Sequence, residues 1–423
     1  MEAIATKLWN RDFSLLVFGH IVSLFGNMIL SFALPLYVLD ISGSPALYGI
    51  MLGVPYISLL VISPVGGIIA DRLRKQRIMF WLDASTTALI VLYMIVSGMI
   101  SLVIPIIVVK LLALNAIQGM YMPTVQSSVP LLIPSAKLTK GNAVVGVVNS
   151  LSTLIGVGVA GVVYGSFGLR PILIVSAICF AFKAVMDLFI RIPFKKQEAI
   201  GGVLSIVKND LSLSFRYATK EKPVLAKSVI LVFLLVLLLI SILLVGVPVL
   251  INQHLDMGME FVGISQSFMM VGGLSGGIIA GALGEKLNIP KALVLIAIGS
   301  VFIASMGVVF FIKTPMMIAY IVLTAASALV YLTVQVFNIA AITFLQKETP
   351  SELIGKILSM MMVIPFLAQA IGQVLYGALF EKLASMPWTI IFATAALVAI
   401  ISTYSCGLFL RITKGQTMER LEE

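Results

Sequence analysis

Charged residues are scarce in this chain, and their scarcity decides its broad class. Only 11% of the 423 residues are Asp, Glu, Lys or Arg, whereas 60% are hydrophobic and the mean hydropathy is +1.13. A soluble globular domain carries about 25% charged residues, so soluble folds are excluded. The uncharged runs exceed the roughly 20 residues that a helix needs to cross a bilayer. The sequence therefore predicts an all-α polytopic membrane protein.

Cysteine and histidine are almost absent, which excludes several chemistries. Cys179 and Cys406 lie inside apolar runs and predict neither a disulfide framework nor a metal site. With only His20 and His254, and without a G-x-S-x-G elbow, we expect neither an enzyme nor a bound metal. No G-x-x-x-x-G-K-[ST] loop occurs, so ATP drive would require a separate subunit. A receptor or scaffold is disfavoured because it would leave the polar residues within the apolar runs without a role.

The basic residues are distributed unevenly along the chain. The net charge of +10 is divided among short loops without a basic face interleaved with aromatic residues, so we expect no nucleic-acid partner. Lysine and arginine concentrate on the cytoplasmic side of membrane proteins. If the N-terminus is cytoplasmic, only Arg170, Lys313 and Lys382 of the 28 Lys and Arg residues fall outside, while Lys110 and Lys183 lie within spans. This asymmetry predicts a multi-pass protein of the plasma (inner) membrane with both termini cytoplasmic.

Apolar runs between charges and turn residues indicate twelve transmembrane helices. The only long polar stretch contains Ile206, Val207 and Leu211 among lysines and arginines, a pattern typical of an amphipathic helix on the membrane surface. We predict an N-terminal six-helix bundle at 1–192, a cytoplasmic linker at 193–222, a C-terminal six-helix bundle at 223–411 and a cytoplasmic tail at 412–423. The spans are expected near 13–39, 47–70, 78–98, 102–124, 142–165, 171–192, 223–251, 261–284, 291–312, 315–340, 356–380 and 387–410.

Two short sequence repeats relate the two halves of the chain. The pentapeptide GGIIA occurs at 66–70 and again at 276–280, each time where the second span of a half ends. VYG at 163–165 and LYG at 375–377 end the two fifth spans. Self-similarity at a nearly constant offset is typical of a duplicated unit, so the sequence predicts two pseudo-symmetric bundles. The shared glycines predict close helix packing at equivalent places.

The loop after the second span carries a family signature. The segment GGIIADRLRKQR resembles that of the major facilitator superfamily, in which a glycine, an Asp-Arg pair and basic residues recur at fixed offsets. Arg74 replaces the usual second glycine. The resemblance implies that the acid docks near a helix N-terminus of the opposite half, whose dipole favours an anion, and so gates the cytoplasmic side. A purely topogenic basic loop is the alternative. The predicted gating residues are Gly67, Asp71, Arg72, Arg74, Lys75 and Arg77.

Two further motifs match the family in part. In the fourth span, NAIQGMYM resembles the Arg-x-x-Gln-Gly motif through Gln118 and Gly119, but Asn115 occupies the arginine position. In the fifth span, LIGVGVAGVVYG is glycine-rich like the antiporter motif of exporters, yet lacks its proline. The segment VPLLIPSAKLTKGNA looks most like the macrolide-efflux and siderophore-exporter branch.

These resemblances imply a function. They imply a monomeric secondary active transporter that exports amphipathic small molecules, of drug, macrolide or siderophore type, by alternating access. Proton antiport is the usual coupling in the resembled branch, so no cofactor is expected beyond a proton gradient. An importer or a lipid flippase on the same fold is the alternative.

Ionisable residues within spans cost about 2.5–3.5 kcal/mol each by insertion scales, and they are candidates for coupling. Lys183 and Asp187, spaced i,i+4 in the sixth span, form either a proton- or substrate-responsive pair or a self-neutralised ion pair. Lys110 either snorkels toward the outer surface or faces the cavity. His20 either titrates or bonds between helices. Asp83, at the start of the third span, is expected to belong to the cytoplasmic charges.

Uncharged polar residues within the spans are candidates to line a central substrate cavity. The first span has no carboxylate before Asp40, which disfavours a dedicated cation pump and suits neutral, zwitterionic or anionic amphiphiles. The cavity candidates are Asn27, Asn115, Gln118, Tyr121, Asn149, Gln266, Tyr331, Gln335, Gln369 and Gln373.

Overall fold

Twelve helices in the described part of the chain are long and apolar enough to cross a membrane. The computed structural model describes residues 8–96, 103–134, 137–193, 223–349 and 354–422, and no strand occurs in these ranges. The prediction of an all-α protein with twelve transmembrane helices is confirmed. The surface helix predicted within 193–222 lies outside the described residues.

The twelve helices are numbered in chain order. The seventh helix, α7, begins as an α-helix at Pro223–Leu235 and continues through π-helical turns at Val236–Ile240, Ile242–Gly246 and Leu250–His254, with an α-helical segment at Val247–Val249. The helices before it are α1 (Arg11–Ser42), α2 (Pro45–Arg72), α3 (Lys75–Val96), α4 (Val103–Leu132), α5 (Leu138–Phe167) and α6 (Leu169–Phe189). Those after it are α8 (Met259–Leu283), α9 (Ile289–Phe311), α10 (Met316–Glu348), α11 (Ile354–Lys382) and α12 (Pro387–Glu422).

Polar caps and glycine decide where some helices begin and end. The Asn10 side chain accepts a hydrogen bond from the Phe13 backbone N–H at 2.9 Å and so caps α1. Gly43 ends this helix in the left-handed conformation, with φ at 61°, and its N–H donates to the Leu39 carbonyl. The Asn288 side chain caps α9 in the same way as Asn10 caps α1.

The chain forms two units whose limits differ slightly from the predicted bundles. The first turns of α2 belong to unit 2, and the first turns of α8 belong to unit 1. The predicted bundle limits, 1–192 and 223–411, stay a prediction. Unit 1 comprises Met1–Gly43, Val54–Val207 and Met259–Ile264, and unit 2 comprises Ser44–Gly53, Lys208–Gly258 and Ser265–Glu423.

Each unit is held together by helix pairs. In unit 1, α1 packs against α5 and α6, while α3 packs against α6 and α4. In unit 2, α9 packs against α10 and α12, and α11 packs against the π-helical part of α7. One apolar core of unit 1 consists of the buried residues Phe13, Leu16, Val17, Ile78, Met79, Leu82, Tyr121, Val125, Val129, Leu132, Ile133, Ile190 and Ile192.

The first glycine of each GGIIA copy lies in a close helix contact. A methyl group on Gly66 of α2 would lie 2.6 Å from the Gly119 carbonyl oxygen of α4. A methyl group on Gly276 of α8 would lie 2.5 Å from the Leu332 carbonyl oxygen of α10. The second and fourth helices of each half therefore make equivalent contacts, and the duplication extends from sequence to packing.

The glycines of the VYG and LYG repeats also make equivalent contacts. Within unit 1, a methyl group on Gly165 of α5 would lie 2.6 Å from the backbone nitrogen of Glu260 at the start of α8. Within unit 2, a methyl group on Gly377 of α11 would lie 2.5 Å from the Pro45 carbonyl oxygen at the start of α2. In both contacts only glycine permits the two backbones to approach so closely.

Candidate functional site

A buried group of charged side chains lies where α3 and α6 pack in unit 1. The Lys183 ammonium lies 3.7 Å from Asp83 Oδ2 and donates a hydrogen bond to Asp187 Oδ1. The side chains of Lys183 and Asp187 are 0% exposed, and that of Asp83 is 3% exposed. The i,i+4 spacing places Lys183 and Asp187 on one face of α6, as the sequence predicts. We call these three residues the charge cluster.

Polar side chains from other helices surround the charge cluster. Ser23 on α1 donates a hydrogen bond to Asp83 Oδ1 at 3.2 Å. His20 Nε2 and Asn149 Oδ1 are 3.0 Å apart, which links α1 to α5. The His20 ring stacks on Tyr121 of α4 with 6.0 Å between ring centres, and the cluster's ammonium lies 5.7 Å from the centre of the same tyrosine ring. Side chains from α1, α3, α4, α5 and α6 thus meet at one place.

Gly19 makes room for the lysine of the charge cluster. A methyl group at this position would lie 2.8 Å from Lys183 Cε. The stem of Lys183 therefore runs directly along the α1 backbone, and its path depends on the missing side chain at Gly19.

The charge cluster contains two carboxylates and one ammonium. With all three groups ionised, its net charge is −1 inside a membrane segment, where an uncompensated buried charge costs several kcal/mol. Asp83 Oδ2 and Asp187 Oδ2 have no hydrogen-bond partner in the described part of the chain. One proton bound to either carboxylate would make the cluster neutral.

The expected place of Asp83 is wrong. The sequence assigns this residue to the cytoplasmic charges, but the side chain is buried and paired with Lys183. The misassignment arises because apolar runs mark a span's limits without marking which face is buried. The buried positions Met79, Asp83, Thr86 and Ile90 recur at helical spacing on α3, and that periodicity is the signal that could have identified Asp83.

Lys110 lies apart from the charge cluster, in the first half of α4. Its ammonium lies 4.1 Å from the ring centre of Tyr93 on α3, and the residue is 4% exposed. Nζ has no hydrogen-bond partner among the residues that the structure describes. The side chain is therefore buried against an aromatic face and does not extend to the surface. A desolvated cation–π contact contributes about 2 kcal/mol, less than the roughly 2.5–3.5 kcal/mol that a lysine costs at the centre of a span.

The predicted cavity residues of unit 1 have different surroundings. Tyr121 and Asn149 lie beside the charge cluster, as described above. Asn115 donates to a carbonyl of its own helix at 3.0 Å. Asn27 is buried and accepts a hydrogen bond from a serine one turn further along α1, whereas Gln118 is half-buried.

The predicted cavity residues of unit 2 lie on α8, α10 and α11. Gln266 donates to a backbone carbonyl in the π-helical part of α7 at 3.2 Å. Tyr331 and Gln335 of α10 lie against the glycines of α8, and Gln369 is half-buried. Gln373 is 1% exposed, and neither atom of its amide has a hydrogen-bond partner in the described residues. The candidates are divided between the two units, so a shared cavity stays a prediction.

The π-helical turns of α7 are a feature that the sequence does not predict. Such turns are frequent at functional sites because they shift the helical hydrogen-bond pattern. Here the Leu243 carbonyl accepts from Gln266, and the Leu244 carbonyl accepts from the Tyr48 hydroxyl at 3.2 Å. The run VLLLISILLVG has nearly uniform hydropathy, so no periodicity distinguishes a π turn from an α turn.

The predicted gating motif lies where α2 ends and α3 begins. Arg72 is the last residue of α2, Arg74 lies in the connection and Lys75 begins α3. The side chains of Arg74 and Arg77 are exposed. The side chains of Asp71 and Arg72 lie outside the described part of the structure, so the gating role of this motif stays a prediction.

Comparison with known proteins assigns the family. The model of the Major Facilitator Superfamily matches residues 16–373. The chain belongs to the Major Facilitator Superfamily. Membership of this family indicates a multi-pass transporter rather than an enzyme.

Curated relatives of this superfamily member include exporters by name. Macrolide efflux protein A of Streptococcus pyogenes is 20% identical over 395 residues, which cover 93% of this chain and 95% of the relative. The uncharacterized MFS-type transporter YkuC of Bacillus subtilis (strain 168) is 23% identical over 227 residues, which cover 48% of this chain and 52% of the relative. The predicted resemblance to the superfamily and its efflux-like branch is confirmed.

Solved structures with the same fold cover almost the whole chain. The nucleoside transporter NupG has a TM-score of 0.74 at 13% identity and covers 95% of this chain and 99% of its own. A bacterial homologue of the iron transporter ferroportin has a TM-score of 0.71 at 15% identity, with 94% and 98% covered. The D-xylose-proton symporter has a TM-score of 0.71 at 13% identity, with 92% and 96% covered. At these identities the likeness shows the major facilitator fold alone.

Proposed function

We propose that the chain is a secondary active exporter of amphipathic small molecules, of drug, macrolide or siderophore type, driven by proton antiport. The observation that carries the coupling is the charge cluster of Asp83, Lys183 and Asp187, buried between α3 and α6. Two six-helix halves that alternate between inward and outward access would move the substrate past a midplane site.

Charge balance explains how the cluster couples to a proton. In the deprotonated state, Asp83 and Asp187 compete for one ammonium and leave one negative charge uncompensated in a medium of low dielectric constant. In the protonated state the cluster is neutral. Because side chains of α1, α3, α4, α5 and α6 meet at the cluster, the two protonation states favour different packing of these helices. A proton can thereby shift the populations of two conformations.

The proposed direction of transport rests on sequence similarity to an exporter, and the proposed substrate class rests on the polar residues within the membrane spans. The alignment with macrolide efflux protein A covers 93% of the chain and supports export. The predicted cavity residues are uncharged, and the first predicted span, at 13–39, contains no carboxylate before Asp40, which supports substrates other than simple cations. Asp71 and the basic residues around it would gate the cytoplasmic side, with the acid near a helix N-terminus.

A reconstitution experiment tests the coupling. Purified protein in proteoliposomes is offered a macrolide, a xanthene dye and a siderophore under an imposed pH gradient, with sodium replaced by potassium in a parallel series. We expect flux that depends on the pH gradient and not on sodium. Asp83→Asn and Asp187→Asn should each lower the gradient-driven flux at least about tenfold, because each removes one of the competing carboxylates.

A matched control separates this effect from a general loss of charge. Lys382→Met removes an exposed charge at the end of α11 and should leave the flux unchanged. Flux that persists in the Asp83→Asn/Asp187→Asn double variant at the wild-type dependence on pH would contradict coupling at this cluster.

Import, or lipid flipping, is the alternative on the same fold. The solved neighbours include a D-xylose-proton symporter, so the fold is compatible with both directions. Everted membrane vesicles distinguish them, because an exporter accumulates substrate inside such vesicles when their interior is acidic. Release of preloaded substrate under the same gradient would indicate an importer, and movement of a fluorescent phospholipid instead of the panel would indicate a flippase.

A further inference from the structure

We propose that Lys110 and Tyr93 form an anion-binding subsite in unit 1, which takes the carboxylate or phosphate group of an amphipathic ligand. The inference deepens the proposed function and rests on it in one respect, namely that a transporter has a small-molecule ligand. The subsite lies on α3 and α4 and shares no residue with the charge cluster.

The ammonium of Lys110 has unused hydrogen-bonding capacity. It carries three N–H donors, yet none has an acceptor among the residues that the structure describes. The residue is 4% exposed, so bulk water does not replace the missing partners. Among the described residues, this buried cation therefore has no anionic partner.

The acids Asp40 and Asp83 in the spans of unit 1 have other partners. Asp40 on α1 accepts a hydrogen bond from the Tyr164 hydroxyl at 2.8 Å. Asp83 lies ten residues from Tyr93 along α3, about 15 Å away at the rise of an α-helix, and it pairs with Lys183. Among the described span residues of unit 1, no acid is therefore paired with Lys110.

The surroundings fit a ligand with one charged and one apolar end. The Tyr93 ring contacts the ammonium through its face, so an anionic group would bind on the side of the ammonium away from the ring. Ile107 and Leu114, one turn to either side of Lys110, and Ile90, one turn before Tyr93, are all buried apolar residues. The anionic group of the ligand would neutralise the Lys110 ammonium, while its apolar body would contact such side chains.

The same geometry selects against cationic ligands. A cationic group at this place would be repelled by the Lys110 ammonium, and the repulsion is strong where water is excluded. Among amphiphiles that differ only in one carboxyl group, the free acid should therefore bind better than its ester.

An equilibrium binding experiment tests the subsite without any ion gradient. Rhodamine B, which has a free carboxylate, and its methyl ester are titrated by fluorescence anisotropy against the full chain in nanodiscs of phosphatidylcholine. We expect the wild type to bind the acid at least about tenfold more tightly than the ester. Lys110→Met should reduce this preference to about twofold or less, whereas Lys110→Arg and the exposed control Lys382→Met should keep it.

A second residue keeps the test informative if Lys110→Met does not fold. Tyr93→Leu removes the ring that positions the ammonium and should reduce the preference, while Tyr93→Phe keeps the ring and should retain it. A preference for the acid that survives in Lys110→Met, or the absence of any preference in the wild type, would overturn the proposal. No ion gradient is present in this binding experiment. Its outcome therefore does not depend on whether the protein exports substrate by proton antiport.

Changing the lipid composition distinguishes two sources of the anionic group, a lipid headgroup and a soluble amphiphile. When phosphatidylglycerol is added to the nanodiscs, competition with rhodamine B that occurs in the wild type but not in Lys110→Met would assign the subsite to an anionic headgroup. If the added lipid does not compete, the subsite belongs to the soluble amphiphile. Both results keep Lys110 as the anion-binding group.

Discussion

The Lys183 ammonium on α6 lies 3.7 Å from Asp83 Oδ2 on α3, and both side chains are almost completely buried. The same ammonium also binds Asp187 of its own helix, so one cation serves two acids. The roles of the three residues are therefore unequal. Loss of the cation leaves two carboxylates without compensation, whereas loss of one acid leaves a neutral pair.

The first prediction concerns this inequality. Lys183→Met should destabilise the protein by about 3–5 kcal/mol, which is the cost of removing one partner of a buried ion pair. Asp83→Asn should cost clearly less, because Lys183 and Asp187 remain paired. The midpoints of thermal unfolding in detergent give the comparison. Equal destabilisation by the two variants would mean that the cluster is not short of positive charge.

The second prediction concerns the path of the lysine. A methyl group on Gly19 would lie 2.8 Å from Lys183 Cε, so Gly19→Ala should displace the ammonium and cost about 1–3 kcal/mol through overpacking. Gly146→Ala on α5 is the matched control because nothing lies within 4 Å of its added methyl group. We expect proton-driven flux to fall only in Gly19→Ala. If both variants retain full flux and stability, the lysine does not depend on contact with α1.

The third prediction concerns the repeated pentapeptide in unit 2. Gly276→Ala would place a methyl group 2.5 Å from the Leu332 carbonyl oxygen, whereas at Gly277 nothing lies within 4 Å. The first substitution should destabilise by about 1–3 kcal/mol. The second should be neutral or stabilise by up to about 1 kcal/mol, since alanine favours a helix more than glycine does. Thermal unfolding of the two single variants checks this, and a reversed order would contradict the assigned packing.

The fourth prediction concerns the first turn of α2 in unit 2. The Glu381 carboxylate accepts hydrogen bonds from the Ser44 hydroxyl and, at 3.0 Å, from the Ala46 backbone N–H, so an anion lies at a helix N-terminus. Glu381→Gln should cost about 0.3–1 kcal/mol, and the cost should shrink at high salt. Lys382→Met, at the neighbouring position, should show no such salt dependence. A stability of Glu381→Gln equal to that of the wild type at low salt would exclude a role for the charge.

The long apolar runs predicted the helices well, because a helix satisfies all its backbone hydrogen bonds within one segment, as a bilayer requires. The repeated glycines predicted equivalent packing in the two halves, and Gly66 and Gly276 make equivalent contacts. The i,i+4 spacing predicted the pair of Lys183 and Asp187, since neighbours on one helix face are decided locally.

Contacts between helices far apart in sequence were not predictable in this way. Asp83 lies near the basic residues along the chain, but the packing of α3 against α6 buries it beside Lys183. The contact of Lys110 with Tyr93 likewise depends on how α4 lies against α3. The functional roles of these residues stay predictions that the experiments above test, and the gating role of the motif also stays a prediction.

By itself, the sequence determined that this protein is a membrane-spanning helical transporter of duplicated design, because hydropathy, glycine spacing and the loop signature act locally along the chain. Only the tertiary structure decided which ionisable side chains share a place. An apolar span tolerates a charge when a partner from another helix or an aromatic face meets it, and the partner depends on helix rotation and packing. For this reason Asp83 lies in the charge cluster, and Lys110 contacts Tyr93 with no acid beside it in the part of the chain that the structure describes.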